Sequence, residues 1–106
     1  MDHPLTRLVA LDTETTGFSN SDKIVEIACI EIINGEIGSS FHRHVNPIIE
    51  IPDRAFDVHG LSQEFLNDKP EFKSVADDFL EFIGDSTLII HNASYDLRMI
   101  NNELRL

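Results

Sequence analysis

Asp12 and Glu14 stand two residues apart behind the apolar run Leu8-Val9-Ala10-Leu11, and Thr15-Thr16-Gly17 follows them as a turn signal. Four consecutive apolar residues leading into a turn predict a buried strand over residues 7–12. Side chains alternate along a strand, so the two carboxylates point to one face. Side by side they repel one another and resist joint ionisation. A divalent cation removes that penalty, and hard oxygen donors at this spacing suit Mg²⁺ or Mn²⁺. The competing expectation is a pair of acids that simply faces water at a strand end. The apolar strand in front of the pair and a third acid, Asp96, weigh against it.

Asp96 lies in His91-Asn92-Ala93-Ser94-Tyr95-Asp96. Ser94 reads as the N-cap of a helix, and an acid in the first turn favours the helix dipole, so a structural role is equally open to Asp96. Position decides what it could do. A strand over 87–91 precedes it. A crossover helix would lay that strand parallel to the first, and both would end at one sheet edge, where sites in open α/β sheets form. Asp12, Glu14 and Asp96 can meet there.

The remaining elements supply that frame. Residues 24–33 form an almost wholly apolar strand, Asn34-Gly35 a hairpin turn, and residues 36–45 the returning strand, ended by Asn46-Pro47. The middle reads as loop as far as Val58-His59-Gly60. Ser62 is then expected to cap a short helix. Asp68 and Glu71 have capping-box spacing before a helix whose apolar residues, Phe72, Val75, Ala76, Phe79, Leu80 and Ile83, follow a 3.6 period up to Gly84. The last helix has Leu97, Ile100 and Leu104 as its expected inner stripe. The order β-β-β-α-β-α predicts a mixed α/β sheet.

Composition narrows the partners. At 106 residues the chain is one small domain, and 42% hydrophobic residues suffice for a core. The net charge of −11 repels nucleic acid at long range and leaves no phosphate-tracking stripe, so any DNA would have to be attracted by a metal or a basic partner. One cysteine, Cys29, excludes an internal disulfide and a cysteine metal cluster, and it reads as a small buried hydrophobe. No apolar run approaches the ~18 residues of a membrane span. The first residues lack a signal-peptide core, so a cytoplasmic protein without a membrane partner is expected.

The segments LDTETTG, FDVHGLS and HNASYD, in this order and spacing, resemble the DEDD-type 3′→5′ exonucleases. Within that family the resemblance is to the epsilon-type proofreading exonucleases of bacterial DNA polymerase III, and it covers residues 7–106. It implies a ribonuclease H-like fold of which residues 1–106 are the N-terminal part, the family's last strand and helix being missing. It implies that Asp12 and Glu14 bind two divalent cations and that Asp96 contacts one through water. A third motif, H-x-x-x-x-D, would supply a general base and a final carboxylate, but no histidine follows His91. The implied chemistry is phosphodiester hydrolysis. One cation activates a water, the other neutralises the leaving 3′-oxygen, and a nucleoside 5′-monophosphate is released.

The resemblance also implies substrate contacts, Asp12 and Glu14 among them. The Thr15 backbone N–H would hold a terminal 3′-hydroxyl. Phe18 would stack on the last bases, unless it is ordinary core packing. His59 would lie beside the terminal nucleotide, unless it is a turn residue. Arg54 departs from the epsilon-like pattern, which often carries an acid there, and this puts a further substrate contact in doubt. The implied partners are a single-stranded or mismatched DNA 3′ end and the polymerase catalytic subunit of the replicase. The rival expectation is a non-catalytic module of the same fold that binds a polymerase or single strands. The absent third motif favours that rival, and it makes the chain alone weakly active or inactive.

Overall fold

The computed structural model describes residues 6–91 and 93–104. Three strands open the chain: β1 (Arg7–Thr15), β2 (Ile24–Ile33) and β3 (Glu36–His44). Three helices follow, α1 (Asp53–His59), α2 (Gln63–Leu66) and α3 (Phe72–Ile83), then β4 (Thr87–Ile90) and α4 (Ala93–Leu104). The sheet order is β3-β2-β1-β4. β1 and β2 are antiparallel, as are β2 and β3, while β4 runs parallel to β1 with Leu11 opposite Ile90. The expected mixed sheet is thus formed. Asn34 and Gly35 make the hairpin turn with φ of 50° and 85°, the pair of positive values that a type I′ turn demands.

One sheet face is covered. Val9 and Leu11 of β1, Ile27 and Cys29 of β2 and Phe41 of β3 pack against Phe72, Val75 and Phe79 of α3 and Met99 and Ile100 of α4. Cys29 behaves as the small hydrophobe expected, and burial pushes its thiol up to about 11. Phe79 is 1% exposed, and truncating a phenylalanine so placed costs ~3–5 kcal/mol. Arg7 ties the crossover to the sheet. Its guanidinium donates to the Phe82 carbonyl at 2.7 Å and to Ser86 Oγ at 2.6 Å, and it pairs with Glu31 at 2.6 Å. The cation therefore sits on the carbonyl end of α3, where the helix dipole favours it.

Several sequence expectations need correction. β1 runs three residues past Asp12, so both carboxylates lie within the strand. β3 ends at His44, although the Val45 N–H still bonds the Val25 carbonyl at 2.8 Å. β4 ends at Ile90, one residue short of His91. Residues 53–59, expected as loop, form α1. The helix has no buried residue and hence no apolar period to reveal it; Pro52 precedes it and Gly60 ends it in the left-handed region. Ser62 does cap α2, accepting from the Phe65 N–H at 3.1 Å. Asp68 and Glu71 form no capping box: α3 starts at Phe72, and the Glu71 side chain makes no cap bond. Ser94 lies inside α4, because the helix starts at Ala93.

The inner stripe of α4 is also different. Leu97 and Leu104 are exposed, whereas Asp96, Met99, Ile100 and Glu103 are buried. Both buried acids have partners, Asp96 with Thr13 and Glu103 with Lys23. An apolar period therefore misidentifies a helix face whose burial includes two carboxylates.

Candidate active site

β1 divides the candidate site. Thr13 and Thr15 point into the covered side of the sheet, and Asp12 and Glu14 share the open face, as the period-two alternation requires. The pairing of β1 with β2 shifts after Glu14. Glu14 lies opposite Glu26, but Thr15 lies opposite Ile24, so β2 carries one extra residue at this point. A bulge there increases the local twist and re-aims the strand end.

Asp12 is exposed and Glu14 half-buried. Burial first, then the carboxylates of Asp12, Glu26 and Asp96, hold the Glu14 carboxyl above its usual range. Asp96 is 4% exposed. Its carboxyl is raised mainly by burial and by Asp12, against the Thr13 hydroxyl, which donates to Oδ1 at 2.6 Å. The three acids thus sense one another, yet their oxygens do not converge on one point. Among the described residues, only Glu26, His42 and His44 bring three such ligand atoms within 4.8 Å of one another. The donor set of Asp12 and Glu14 fits a divalent cation. Two hard carboxylates share a face, and like charges oppose the ionisation of one of them.

A cleft of about 620 Å³ opens beside Glu14. Thr15, Phe18, Arg54, His59 and Tyr95 also line it, so the expected substrate contacts Glu14, Thr15, Phe18 and His59 face one space, and Asp12, expected with them, does not. Asp12 and Asp96 lie outside it. Phe18 is 78% exposed, which removes core packing as its role. His59 ends α1. Its Nδ1 accepts from the Leu61 N–H at 2.9 Å, as a turn residue would, but its Nε2 is buried without a hydrogen-bond partner among the described residues. Burial lowers the His59 pKa, against smaller opposing effects of Glu26 and the Thr15 backbone, which favours the neutral ring.

The sequence reading missed Tyr95 and the loop after β1. The Tyr95 hydroxyl donates to the Gly17 carbonyl at 2.7 Å and also meets Thr15 Oγ1. Its ring lies 5.3 Å from that of Phe18, centroid to centroid. Arg98, one turn on, donates to the Phe18 carbonyl at 2.5 Å. Within the loop, Asp22 accepts from Thr16 Oγ1 at 2.7 Å and from the Ser19 N–H at 3.0 Å. Burial works against the Asp22 charge, but these bonds prevail and hold its carboxyl below the usual range. A Cβ on Gly17 would stand 2.5 Å from Asp22 Oδ2, so a larger residue there would push the Asp22 carboxylate out of these bonds. The polar residues in Thr15-Thr16-Gly17-Phe18-Ser19 and Asp22 were a legible turn signal; their tie to α4 was not.

Known proteins are similar to this chain in sequence and in fold. A family model described as Exonuclease, RNase T type, matches residues 9–106. The DNA polymerase III subunit epsilon of Rickettsia prowazekii (strain Madrid E) is 52% identical over 103 residues, covering 94% of this chain and 45% of that protein. The subunit of the same name from Escherichia coli (strain K12) is 40% identical over 113 residues, covering 100% and 46%. The chain therefore spans about half the length of the curated relatives it matches. Among solved structures, exonuclease X in complex with 5′ overhanging duplex DNA superposes with a TM-score of 0.77 at 32% identity, covering 88% of this chain and 53% of that one. The nuclease domain of 3′hExo, a DEDDh family member bound to rAMP, gives a TM-score of 0.81 over 99% of this chain and 61% of that one. At 16% identity, that likeness shows the fold alone. The common fold is ribonuclease H-like.

Proposed function

We propose, since the chain belongs to the exonuclease family matched by its residues 9–106, that it is the N-terminal part of a single 3′→5′ exonuclease domain that releases nucleoside 5′-monophosphates from DNA 3′ ends. Its biological role in this reading is replicative proofreading as an epsilon-type subunit, with the catalytic subunit of the polymerase as partner. Asp12 and Glu14 hold Mg²⁺ or Mn²⁺ directly, and Asp96 reaches a cation through water. The observation that carries the reading is the carboxylate pair on one strand face, with Glu14 also opening onto the cleft lined by Thr15, Phe18 and His59.

Each residue has a defined task. Bound divalent cations supply Lewis acidity for the attacking water and neutralise charge on the leaving oxygen. The Thr15 backbone holds the terminal 3′-hydroxyl. Phe18, exposed at the cleft rim, stacks on the last base, a contact worth ~1–3 kcal/mol. The unpartnered Nε2 of His59 supports a hydrogen bond to the terminal nucleotide. Arg54 gives the cleft a cation in a chain of net charge −11. No helix among the described residues is long and apolar enough to cross a membrane; a cytoplasmic location belongs to the same proposal.

The test uses short single-stranded DNA ending in a 3′-hydroxyl or a 3′-phosphate, with fluorescence anisotropy as readout. The expected result is Mn²⁺-dependent binding that prefers the hydroxyl end and is lost in Asp12→Ala. Binding indifferent to metal and to the 3′ group would overturn the reading and favour a non-catalytic assembly module. In parallel, release of 5′-monophosphates from a 3′-mismatched primer is expected to be slight for these 106 residues alone. A missing general base costs a factor of ~10²–10⁴.

A further inference from the structure

We propose that Glu26, His42 and His44 form a second metal site, separate in chemistry from the carboxylate pair, that takes a borderline transition-metal ion such as Zn²⁺. His42 and His44 are two apart on β3 and therefore share a face. The register of β2 and β3 sets Glu26 directly opposite His44 and Ala28 opposite His42, on the open face of the sheet. The small Ala28 side chain leaves room for His42 to lean towards Glu26. Both imidazoles present Nε2 to the same oxygen: His42 at 2.5 Å and His44 at 3.2 Å from Glu26 Oε2. The three ligand atoms lie within 4.8 Å of one another.

Two of the three ligand separations are close to those of a bound site. Tetrahedral Zn²⁺ with bonds of ~2.0–2.2 Å sets its ligand atoms ~3.3 Å apart. Glu26–His44 already has that separation, and Glu26–His42 needs to open by less than an ångström. His44 is braced by the Phe65 ring, which stands at 85° to its own with centroids 5.0 Å apart. His42 is 49% exposed, so the fourth position faces solvent and can hold a water. Two imidazoles and one carboxylate prefer Zn²⁺, Co²⁺ or Ni²⁺ over Mg²⁺. The alternative is a plain surface His–carboxylate pair, worth ~0–1 kcal/mol and indifferent to metal. The site also has a neighbour: Glu26 pairs with Glu14 across β1 and β2.

Zn²⁺ is titrated calorimetrically into the 106-residue chain in excess Mg²⁺, which occupies oxygen ligands. Wild type is compared with His42→Ala, His44→Ala and Asp12→Asn. The expected result is one saturable Zn²⁺ per chain, weakened by at least ~10-fold in either histidine variant, since even outer-shell partners of a metal act on that scale. Asp12→Asn should bind as wild type does. Long-range ¹H–¹⁵N NMR of the wild type should show both Nε2 atoms perturbed by Zn²⁺, a readout that needs no variant to fold. No saturable binding, equal binding in the histidine variants, loss in Asp12→Asn, or unperturbed Nε2 atoms would each overturn the proposal. Failure of the DNA-binding test above would leave this result unaffected.

Discussion

Thr13 on β1 donates a hydrogen bond of 2.6 Å to Asp96 on α4, joining the two segments that carry the candidate metal ligands. Both residues are buried, at 7% and 4% exposure. The bond fixes the carboxylate beneath the strand and leaves Oδ2 without a protein partner among the described residues.

Removing the donor and neutralising the acceptor should therefore differ. Thr13→Val strands a buried carboxylate and is expected to lower stability by ~1–3 kcal/mol in urea denaturation. Asp96→Asn keeps an acceptor at Oδ1 and should change the midpoint little, while abolishing turnover in a protein that carries the complete catalytic set. Equal destabilisation by both, with turnover intact in Asp96→Asn, would make the Asp96 charge purely structural.

For the carboxylate pair, Mn²⁺ titration followed by paramagnetic relaxation is expected to show weak binding that disappears in Asp12→Ala. Asp12 is exposed and its charge raises the Glu14 carboxyl. The substitution should therefore leave the melting temperature unchanged or slightly higher. Mn²⁺ relaxation equal to that of wild type would remove Asp12 from the ligand set.

Stability should depend on pH through Glu103. Burial raises its carboxyl above the ordinary 4.5, against the opposing pull of Lys23 at 3.4 Å. The folded chain then holds this proton more tightly than the unfolded chain. Stability falls as pH rises from about 4.5 through the raised value, and it is regained on acidification. Glu103→Gln should make that part of the stability–pH curve shallower, with Glu14 and Asp96, raised in the same direction, retaining part of the slope. An unchanged curve would mean that Glu103 is not buried as described.

Tyr95→Phe removes the hydroxyl that meets Gly17 and Thr15. A loss of ~1 kcal/mol is expected. Amide exchange should accelerate over residues 16–22 while the core strands stay protected. A uniform loss across the sheet would instead place Tyr95 in the global fold.

Much of the architecture was legible locally. The apolar runs of β1 and β2, Asn34-Gly35, the 3.6 period of α3 and Gly84 each encode their element through side-chain period or backbone freedom. So does the shared face of Asp12 and Glu14, which follows from strand alternation alone. The family was legible as well, because LDTETTG, FDVHGLS and HNASYD are short and contiguous. Helix α1 was not, since an exposed helix leaves no burial pattern. Nor was the buried face of α4. Asp96 and Glu103 look solvated by type, and only Thr13 and Lys23, brought from 83 and 80 positions away by the parallel pairing of β1 and β4, make their burial tolerable. The same is true of the cleft and of the Glu26–His42–His44 cluster. Register across strands and packing between layers put distant residues side by side, and neither is written in any one segment of the chain.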